Sequence, residues 1–470
     1  MMRSWIVALA VAAGCPAMMQ AADTQPAGNT PVAKGQGSLV IIGGALRFTE
    51  TSVWSTIVDL AGGKDAKIAV FPTASSQPMA SGERIVQLLK SLGAEAFVVP
   101  VGVMNIEQDY QKVVHDAEWV SRVKSATGVF FTGGSQARIT QALLGKDGTQ
   151  TPVLQAIWDV YNRGGVVAGT SAGAAMMSKT MFSNPQSVLG TMQKGVRMGV
   201  EIDRGLGFLD GSWFVEQHCL ARGRFARAIV AMHTAGIKYG IGIEEDTAVV
   251  VKNGTDLSVC GYKGCLVFDV SEAKRDAEVN GFNLQNVKMS YLDRGDSINL
   301  KTLEVTPSEL KKSNPKIDPQ AEGFRPWSRR PIFTNDMLGN CVVTSIMSQV
   351  LTHEKGEATG LAYDGNAART GQESEGFEFR LYRGKDTCGW HTDDEGYDSY
   401  TVSNVRLDVE PIAISAPLYS YVKPRPINPE PASPTQTLAN RPMEASPMVV
   451  MPVSASTTSA KADMGASAQK

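Results

Sequence analysis

Ser171 lies in a stretch whose residue types suit nucleophilic catalysis. The apolar residues 166–168 predict a strand, Gly-Thr-Ser-Ala-Gly follows directly, and an Ala/Met run then predicts a helix. In such a strand-turn-helix elbow, the two glycines allow a sharp bend that projects the serine hydroxyl away from the sheet. The amide of Ala172 would lie at a helix N-terminus, as an oxyanion hole requires. The alternative is a serine that only caps its helix.

A base and an acid are predicted downstream of this serine. His218 follows the strand-like segment 213–217, at a position from which an imidazole can reach a neighbouring turn. The other four histidines lie on predicted helices or beside charged residues. Another apolar strand ends at Glu244, Glu245 and Asp246, and a carboxylate from any of the three can orient the imidazole. Together, these strand ends predict a serine hydrolase.

Four motifs, in this order along the chain, carry a resemblance to a known family. They are Phe-Phe-Thr-Gly-Gly-Ser-Gln at 130–136, Gly-Thr-Ser-Ala-Gly-Ala at 169–174, Gln-His at 217–218 followed by Arg-Gly-Arg-Phe-Ala-Arg at 222–227, and Gly-Ile-Gly-Ile-Glu-Glu-Asp-Thr-Ala at 240–248. They resemble the motifs of the cyanophycinases, which belong with the aspartyl dipeptidases to one serine peptidase family. The resemblance covers residues 36–305.

The resemblance implies a role for each residue of the predicted centre. Ser171 is then the nucleophile, His218 the base and Glu245 the acid. The amides of Gly134 and Ala172 are the implied oxyanion donors. An acyl-enzyme mechanism follows from these assignments.

The implied substrate is cyanophycin, a polyaspartate whose side-chain carboxylates carry arginine in amide linkage, and the expected product is the β-aspartyl-arginine dipeptide. The implied substrate-binding residues are Gln136, Glu216, Gln217, Arg224 and Arg227. Glu216 is expected to receive a guanidinium, and the two arginines to hold carboxylates. Two positions depart from the family pattern: Glu216 replaces the common aspartate, and Ser135 replaces the usual asparagine.

The composition fits a soluble enzyme without a cofactor. The chain has 470 residues, of which 43% are hydrophobic and 20% charged, enough for a large core. A formal net charge of −2 gives no electrostatic case for nucleic acid or an anionic membrane as partner. The scattered histidines and cysteines lack the spacing of a metal site. No metal, no cofactor and no membrane span are predicted, and association into a homodimer is left open.

The pattern along the chain predicts an α/β fold. Predicted strands lie at 38–42, 67–71, 96–101, 128–131 and 166–168, and predicted helices lie near 51–61, 80–92, 107–124 and 150–163. Such alternation favours a doubly wound, mostly parallel sheet with helices on both faces, whose site lies at the carboxyl ends of the strands. We assign residues 36–305 to the catalytic α/β domain and 306–422 to a smaller β-containing C-terminal extension.

Both ends of the chain have non-globular compositions. Arg3 precedes the apolar run 5–13, which is too short to span a bilayer, so residues 1–21 are predicted to be a signal peptide, followed by a linker at 22–35. A lipoprotein signal at Cys15 is the competing reading. A secreted protein is expected, with the periplasm as the alternative location. Residues 423–470 are rich in Pro, Ala and Ser and are predicted to be disordered.

Removal of a signal peptide would leave five cysteines. In an oxidising compartment, candidate disulfides are Cys260 with Cys265 and Cys341 with Cys388, whereas Cys219 is expected to be a buried thiol.

Three alternative functions remain open from the residues. An α/β-hydrolase esterase shares the Gly-x-Ser-x-Gly turn, but in that fold the acid precedes the histidine. An aspartyl dipeptidase would differ chiefly at the guanidinium-binding positions. A non-catalytic surface protein that captures the polymer would use Ser171 only as a helix cap.

Overall fold

The computed structural model describes residues 37–370, 373–394, 396–415, 417–418 and 422. The predicted signal peptide, linker and disordered tail lie outside the described residues. The described residues up to Leu418 form one compact unit.

Nineteen strands are present in this part of the chain. They are β1 Ser38–Ile42, β2 Lys67–Phe71, β3 Glu95–Val98, β4 Gly128–Phe131, β5 Val166–Thr170, β6 Thr180–Phe182, β7 Ile202–Arg204, β8 Trp213–Gln217, β9 Tyr239–Ile243, β10 Thr247–Lys252, β11 Asp256–Gly261, β12 Cys265–Asp269, β13 Leu284–Leu292, β14 Ser297–Asn299, β15 Val305–Thr306, β16 Ile332–Thr334, β17 Glu357–Ala362, β18 Ser374–Asp394 and β19 Tyr397–Ile414.

Twelve α-helices are present in the same residues. They are α1 Thr51–Leu60, α2 Pro78–Ser91, α3 Tyr110–Val113, α4 Ala117–Lys124, α5 Gln136–Leu143, α6 Pro152–Asn162, α7 Ala172–Ala175, α8 Val188–Lys194, α9 Phe225–Ala235, α10 Glu309–Lys312, α11 Val342–Thr352 and α12 Gly365–Thr370.

The first sheet has nine strands in the order β15-β14-β11-β10-β1-β5-β4-β2-β3. Its five strands from β1 to β3 are parallel, and the other four continue the sheet antiparallel from β1. β1 shows why this sheet needs cover on both faces. Leu39 and Ile41 pack in one hydrophobic core, while Val40 and Ile42 pack in another.

Helices cover both faces of this sheet, as predicted. Trp54 of α1 and Leu89 of α2 pack in the core that contains Val40. Ile139 of α5 and Leu154 of α6 pack in the core that contains Leu39. Because both faces are buried, the parallel strands are continuous apolar runs without polar alternation. The predicted α/β architecture with a mostly parallel central sheet is confirmed.

The prediction of one continuous helix over 107–124 is wrong, because the structure has two short helices there. The Asp109 side chain accepts a hydrogen bond from the Gln111 amide and begins α3. The Asp116 side chain accepts bonds from the amides of Glu118 and Trp119 and begins α4. Each aspartate satisfies amides that a helix N-terminus leaves unpaired, so two caps replace one continuous helix.

The second sheet has eight strands in the order β16-β17-β18-β19-β13-β12-β9-β8. The predicted β-containing extension supplies β18 and β19, which are 21 and 18 residues long. These strands do not form a separate sheet, because residues 402–409 of β19 pair with β13. The extension therefore continues a sheet that begins with β8 and β9. The strand ends predicted to carry the site therefore belong to two sheets: β5 lies in the first sheet, and β8 and β9 lie in the second.

Candidate active site

Ser171 lies in a strained turn between β5 and α7. Its backbone has φ 54° and ψ −109°, a conformation that residues other than glycine rarely adopt. The Ser171 amide donates to the Ile42 carbonyl oxygen at 3.0 Å, which fixes the turn to β1. A Cβ on Gly169 would lie 2.2 Å from the Gly173 oxygen, and one on Gly173 would lie 2.6 Å from the Phe131 oxygen. Both glycines of the motif are therefore required by close backbone packing.

The structure brings together the three side chains of the predicted triad. Ser171 Oγ lies 2.9 Å from His218 Nε2, and His218 Nδ1 lies 2.5 Å from Glu245 Oε1. The imidazole is largely buried, with 8% of its side chain exposed, whereas the Glu245 side chain is 30% exposed. A hydroxyl, an imidazole and a carboxylate thus form one continuous hydrogen-bonded relay.

Only one of the three candidate acids reaches the imidazole. The Glu244 carboxylate does not contact the imidazole; it accepts hydrogen bonds from the amides of Leu220 and Ala221 at 2.6 and 2.9 Å. Asp246 is also buried and binds Arg47. Glu244 thus orders the segment that follows the histidine, while Glu245 orients the imidazole itself.

Gly44 is a residue of the site that the sequence analysis did not assign. It has φ +116°, and a Cβ there would lie 2.2 Å from Cε1 and 2.3 Å from Nε2 of His218. The neighbouring Gly43 oxygen accepts a hydrogen bond from the His218 amide at 2.7 Å. The Gly43-Gly44 pair, directly after a strand beside that of Ser171, is the sequence signal that could have pointed to it.

The electrostatic surroundings keep His218 ready to accept a proton. Burial lowers the pKa of His218 from its ordinary value, and the charges of Arg222 and Arg224 lower it further, against the opposing effect of Glu245. Burial by itself would raise the pKa of Glu245, but the hydrogen bonds from His218 and Arg222 hold it below its ordinary value. An ionised glutamate beside a neutral imidazole is the state a general base requires.

We expect the acid limb of Ser171 reactivity to have its midpoint below pH 6.5. The lowered pKa keeps His218 neutral, and therefore able to act as a base, at a more acidic pH than a free imidazole. Because the Arg222 charge lowers this pKa, Arg222→Gln should move the midpoint to higher pH. The measurement is the rate of labelling of Ser171 by a fluorophosphonate as a function of pH.

The control for this pH profile is Arg329→Gln, which removes an exposed guanidinium that pairs with Glu354 in the extension. It should leave the midpoint where it is. A midpoint above pH 6.5 in the unmodified protein would contradict the assigned surroundings of His218.

The loop after β4 places the second predicted oxyanion donor against the serine. A Cβ on Gly133 would lie 3.3 Å from the Ser171 Cβ. Gly134 has φ +143°, and a Cβ there would lie 2.0 Å from the Ala74 oxygen, so only glycine fits. Within the described part of the chain, neither the Gly134 amide nor the Ala172 amide donates a hydrogen bond. Both N–H groups are therefore free to hold a developing oxyanion.

The structure pairs Glu216 with Arg227, two of the predicted substrate-binding residues. Arg227 Nε and Nη2 donate to the two carboxylate oxygens of Glu216, each at 2.9 Å, and both residues are buried. The Arg227 guanidinium also lies 4.5 Å from the centroid of the Phe182 ring. The two side chains neutralise each other in this structure, and the substrate-binding role expected of each stays a prediction. Two complementary groups on adjacent elements form an internal pair when water is excluded.

We expect Arg227→Leu to lower the free energy of unfolding by about 3 kcal/mol, because the buried Glu216 carboxylate then keeps only the Gln217 amide at 3.1 Å and the Arg224 guanidinium at 3.9 Å. The double variant Glu216→Leu/Arg227→Leu should recover most of this loss. Denaturant-induced unfolding followed by circular dichroism measures both. A single variant as stable as the unmodified protein would show that Arg224 and the Gln217 amide balance the Glu216 charge without Arg227.

The remaining predicted binding residues lie nearer to the serine. Gln217 Oε1 is 3.5 Å from Ser171 Oγ and accepts a hydrogen bond from Arg224 Nη1 at 2.8 Å. Burial lowers the pKa of Arg224 to about 10, and the Arg227 charge adds to the shift. Gln136 is buried, and its Nε2 donates to the Phe182 oxygen at 2.8 Å. Gln217 and Arg224 are therefore at the centre, whereas the Gln136 amide nitrogen is already bonded.

The predicted disulfides do not form. Cys260 and Cys265 lie on strands of different sheets, and Cys341 and Cys388 are also free thiols. Cys219 is buried as expected, and burial raises its pKa well above the ordinary value. A thiol in this state is a poor nucleophile, so Cys219, which follows His218 in the chain, does not compete with Ser171.

Neither a metal-binding cluster nor a membrane-spanning helix occurs among the described residues. No group of three or more histidine, cysteine or acidic side chains is placed to hold a metal ion. None of the helices in this part of the chain combines the length and apolar character needed to cross a membrane.

Comparison with known proteins places the chain in a family. Residues 39–258 match the model of peptidase family S51. The cyanophycinase of Synechococcus elongatus is 30% identical over 57% of this chain and 81% of its own length. The chain belongs to peptidase family S51. Two further cyanophycinases are also 30% identical to this S51 peptidase: that of Geminocystis herdmanii covers 57% of the chain and 95% of itself, and that of a Nostoc species covers 59% and 90%.

Solved structures of peptidases are also similar to this S51 peptidase. A peptidase from an acI-B1 Actinobacterium is 23% identical, with a TM-score of 0.40 over 57% of this chain and 98% of the other. A putative peptidase E from Listeria monocytogenes is 15% identical, with a TM-score of 0.33 over 48% and 98%. The S51 assignment, with its cyanophycinase relatives, makes the protein a serine-type peptidase.

Proposed function

We propose that this peptidase degrades cyanophycin by cleaving its polyaspartate backbone, and that it releases β-aspartyl-arginine dipeptides. The observation that carries the proposal is the continuous relay from Ser171 Oγ through His218 to Glu245, in a chain similar to several cyanophycinases. The order serine, histidine, acid along the chain argues against an α/β-hydrolase esterase.

The geometry supports an acyl-enzyme mechanism. Ser171 Oγ attacks the carbonyl carbon of a backbone amide while His218 Nε2 takes its proton. Glu245 stabilises the imidazolium through Nδ1. The free amides of Gly134 and Ala172 hold the negative oxygen of the tetrahedral intermediate. His218 then gives its proton to the leaving amine, and water, activated by the same base, hydrolyses the ester on Ser171.

Charges beside the triad suit a zwitterionic substrate. Each cyanophycin repeat carries a guanidinium and a carboxylate, so its binding needs groups of both signs close together. Arg224 is partly exposed and lies 3.9 Å from the buried Glu216 carboxylate. Gln217 connects Arg224 to the serine. Arg224 is the group in this cluster best placed to bind a substrate carboxylate. The Glu216 carboxylate of the buried Glu216–Arg227 pair lies beside its guanidinium.

The test is to incubate the purified protein with insoluble cyanophycin and to analyse the soluble products by mass spectrometry. Clearing of the suspension with release of β-aspartyl-arginine is expected. Binding without clearing would identify a capture protein, and hydrolysis only of dipeptides with an N-terminal aspartate would identify an aspartyl dipeptidase. Hydrolysis of simple esters alone would identify an esterase, and each of these three results would overturn the proposal.

We further propose that the protein is exported, on the strength of the basic and apolar pattern at its start. Expression of the full chain in a Gram-negative host, with a variant lacking residues 1–21 as control, tests this. The expected result is a protein outside the cytoplasm that has lost its first 21 or so residues. Full-length protein confined to the cytoplasm would contradict it. Sedimentation of the same sample decides between a monomer and a homodimer.

A further inference from the structure

Arg47 presents a fixed charge close to the triad that the mechanism above does not use. Its backbone amide donates to Asp246 Oδ1 at 2.8 Å, and its Nε donates to Oδ2 at 2.5 Å. Its Cζ lies 5.2 Å from the centroid of the Tyr262 ring. The indole nitrogen of Trp54 donates to the Arg47 carbonyl oxygen at 2.9 Å. The backbone, the Nε edge and one face of this guanidinium are therefore all held in place.

The outer edge of the same guanidinium is open. The Arg47 side chain is 58% exposed, although its partner Asp246 is buried. Within the described residues, neither terminal nitrogen of Arg47 has a hydrogen-bond partner. These two nitrogens form the fork that binds a carboxylate in bidentate fashion. Because the orientation is already fixed, little conformational entropy is lost when a carboxylate binds.

Three contacts place Arg47 on the imidazole side of the site. Asp246 directly follows the triad acid Glu245, and its amide donates to the Gly44 oxygen at 2.8 Å. Gly44 packs against the His218 ring. The Tyr262 amide donates to the Asp246 backbone carbonyl oxygen at 2.9 Å. This bond places the Tyr262 ring, which lies against the Arg47 guanidinium, beside the same loop. In serine hydrolases the imidazole protonates the leaving amine, so the leaving part of the substrate lies on this side.

We propose that Arg47 is a substrate-binding residue that holds the carboxylate of the leaving group. The inference rests on the proposed function, under which this carboxylate belongs to the arginine of the departing cyanophycin repeat. That carboxylate has no covalent partner in the polymer and needs a cation once it leaves water. Arg47 supplies one, and Asp246 keeps the local charge balanced when no substrate is bound.

The experiment pairs a substitution with a change in the substrate. Two-repeat substrates are prepared whose leaving-side arginine carries either a free carboxylate or a carboxamide. The unmodified enzyme should prefer the carboxylate form in kcat/KM, and Arg47→Gln should reduce this preference by about ten- to hundredfold. Arg47→Lys, which keeps the charge but loses the fork, should keep part of the preference. Arg329→Gln, which removes a comparably exposed guanidinium from the extension, should keep all of it.

The outcomes separate this inference from the proposed function. Equal losses on both substrates in Arg47→Gln would overturn the inference, because a residue that only supports the fold or the triad acts on both alike. A preference as large in Arg47→Gln as in the unmodified enzyme would overturn it too. In either case, an unmodified enzyme that cleaves the substrates leaves the proposed function standing. If the unmodified enzyme cleaves neither substrate, the proposed function is wrong, and the inference falls with it.

Discussion

Ser171→Ala should lower the rate of peptide hydrolysis by at least about 10⁴-fold, to the level of the uncatalysed background. The substitution removes the oxygen that lies 2.9 Å from His218 Nε2 and would form the acyl-enzyme. The β-methyl group of alanine occupies the place of the serine Cβ, so the oxyanion donors and the cluster around Gln217 stay in position. Binding of cyanophycin should therefore survive. Product release and co-sedimentation with the insoluble polymer measure the two effects separately.

A matched control is Ser91→Ala. Ser91 is an exposed serine at the end of α2 whose hydroxyl donates only to the Leu88 carbonyl oxygen. It should keep full hydrolytic activity. If Ser171→Ala retained more than about a hundredth of the activity, another group would have to be the nucleophile. If it lost binding together with hydrolysis, the serine would have a structural role beyond the relay.

The local parts of this site are predictable from the sequence, because they depend on neighbouring residues. β1, β2 and β4 match their predicted bounds, since each is a short apolar run between turn residues. The serine elbow follows from two glycines and the strand before them. His218 and the acidic residues 244–246 follow strands in the same way, so the base and three candidate acids could be predicted without coordinates. The choice of Glu245 among the three came from the family resemblance.

The pairing of charges was not predictable in the same way. Glu216 and Arg227 were each expected to bind substrate, but α9 packs against β8 and brings the two side chains into one buried pair. Nothing within a few residues of either one indicates this contact. The same reason explains why the second sheet was missed: β13 and β19 pair across more than a hundred residues of chain. Long-range contacts of this kind depend on the whole fold.

Three of the nine non-glycine residues with positive φ in the described chain lie where the relay is formed. Ser171, His218 and Asp246 have φ values of 54°, 51° and 57°, and each follows the end of a strand. Such conformations cost about 1–3 kcal/mol each and persist only where the surroundings enforce them. Here, backbone hydrogen bonds to residues 42–44 hold all three turns. The segment after β1 therefore fixes the relative positions of serine, imidazole and acid.

Gly44→Ala should lower the rate of hydrolysis by on the order of 100- to 10,000-fold, although Gly44 has no side chain and takes no part in the chemistry. The new methyl group would lie 2.2 Å from the imidazole, so His218 must turn away from Ser171. Loss of the base leaves the hydroxyl unactivated. The rate of fluorophosphonate labelling reports this directly, because labelling needs both the serine and its base.

A second glycine separates displacement of the imidazole from strain in the backbone. Gly62 has φ +112°, close to the +116° of Gly44, but the nearest atom to an added Cβ is 3.8 Å away. Gly62→Ala thus imposes a similar backbone strain, on the order of 1–2 kcal/mol, without a clash. It should unfold more easily than the unmodified protein and still be labelled at the full rate. If the two variants lost reactivity equally, strain alone would explain the effect. If Gly44→Ala kept full reactivity, the position of the His218 imidazole would not depend on the absence of a side chain at residue 44.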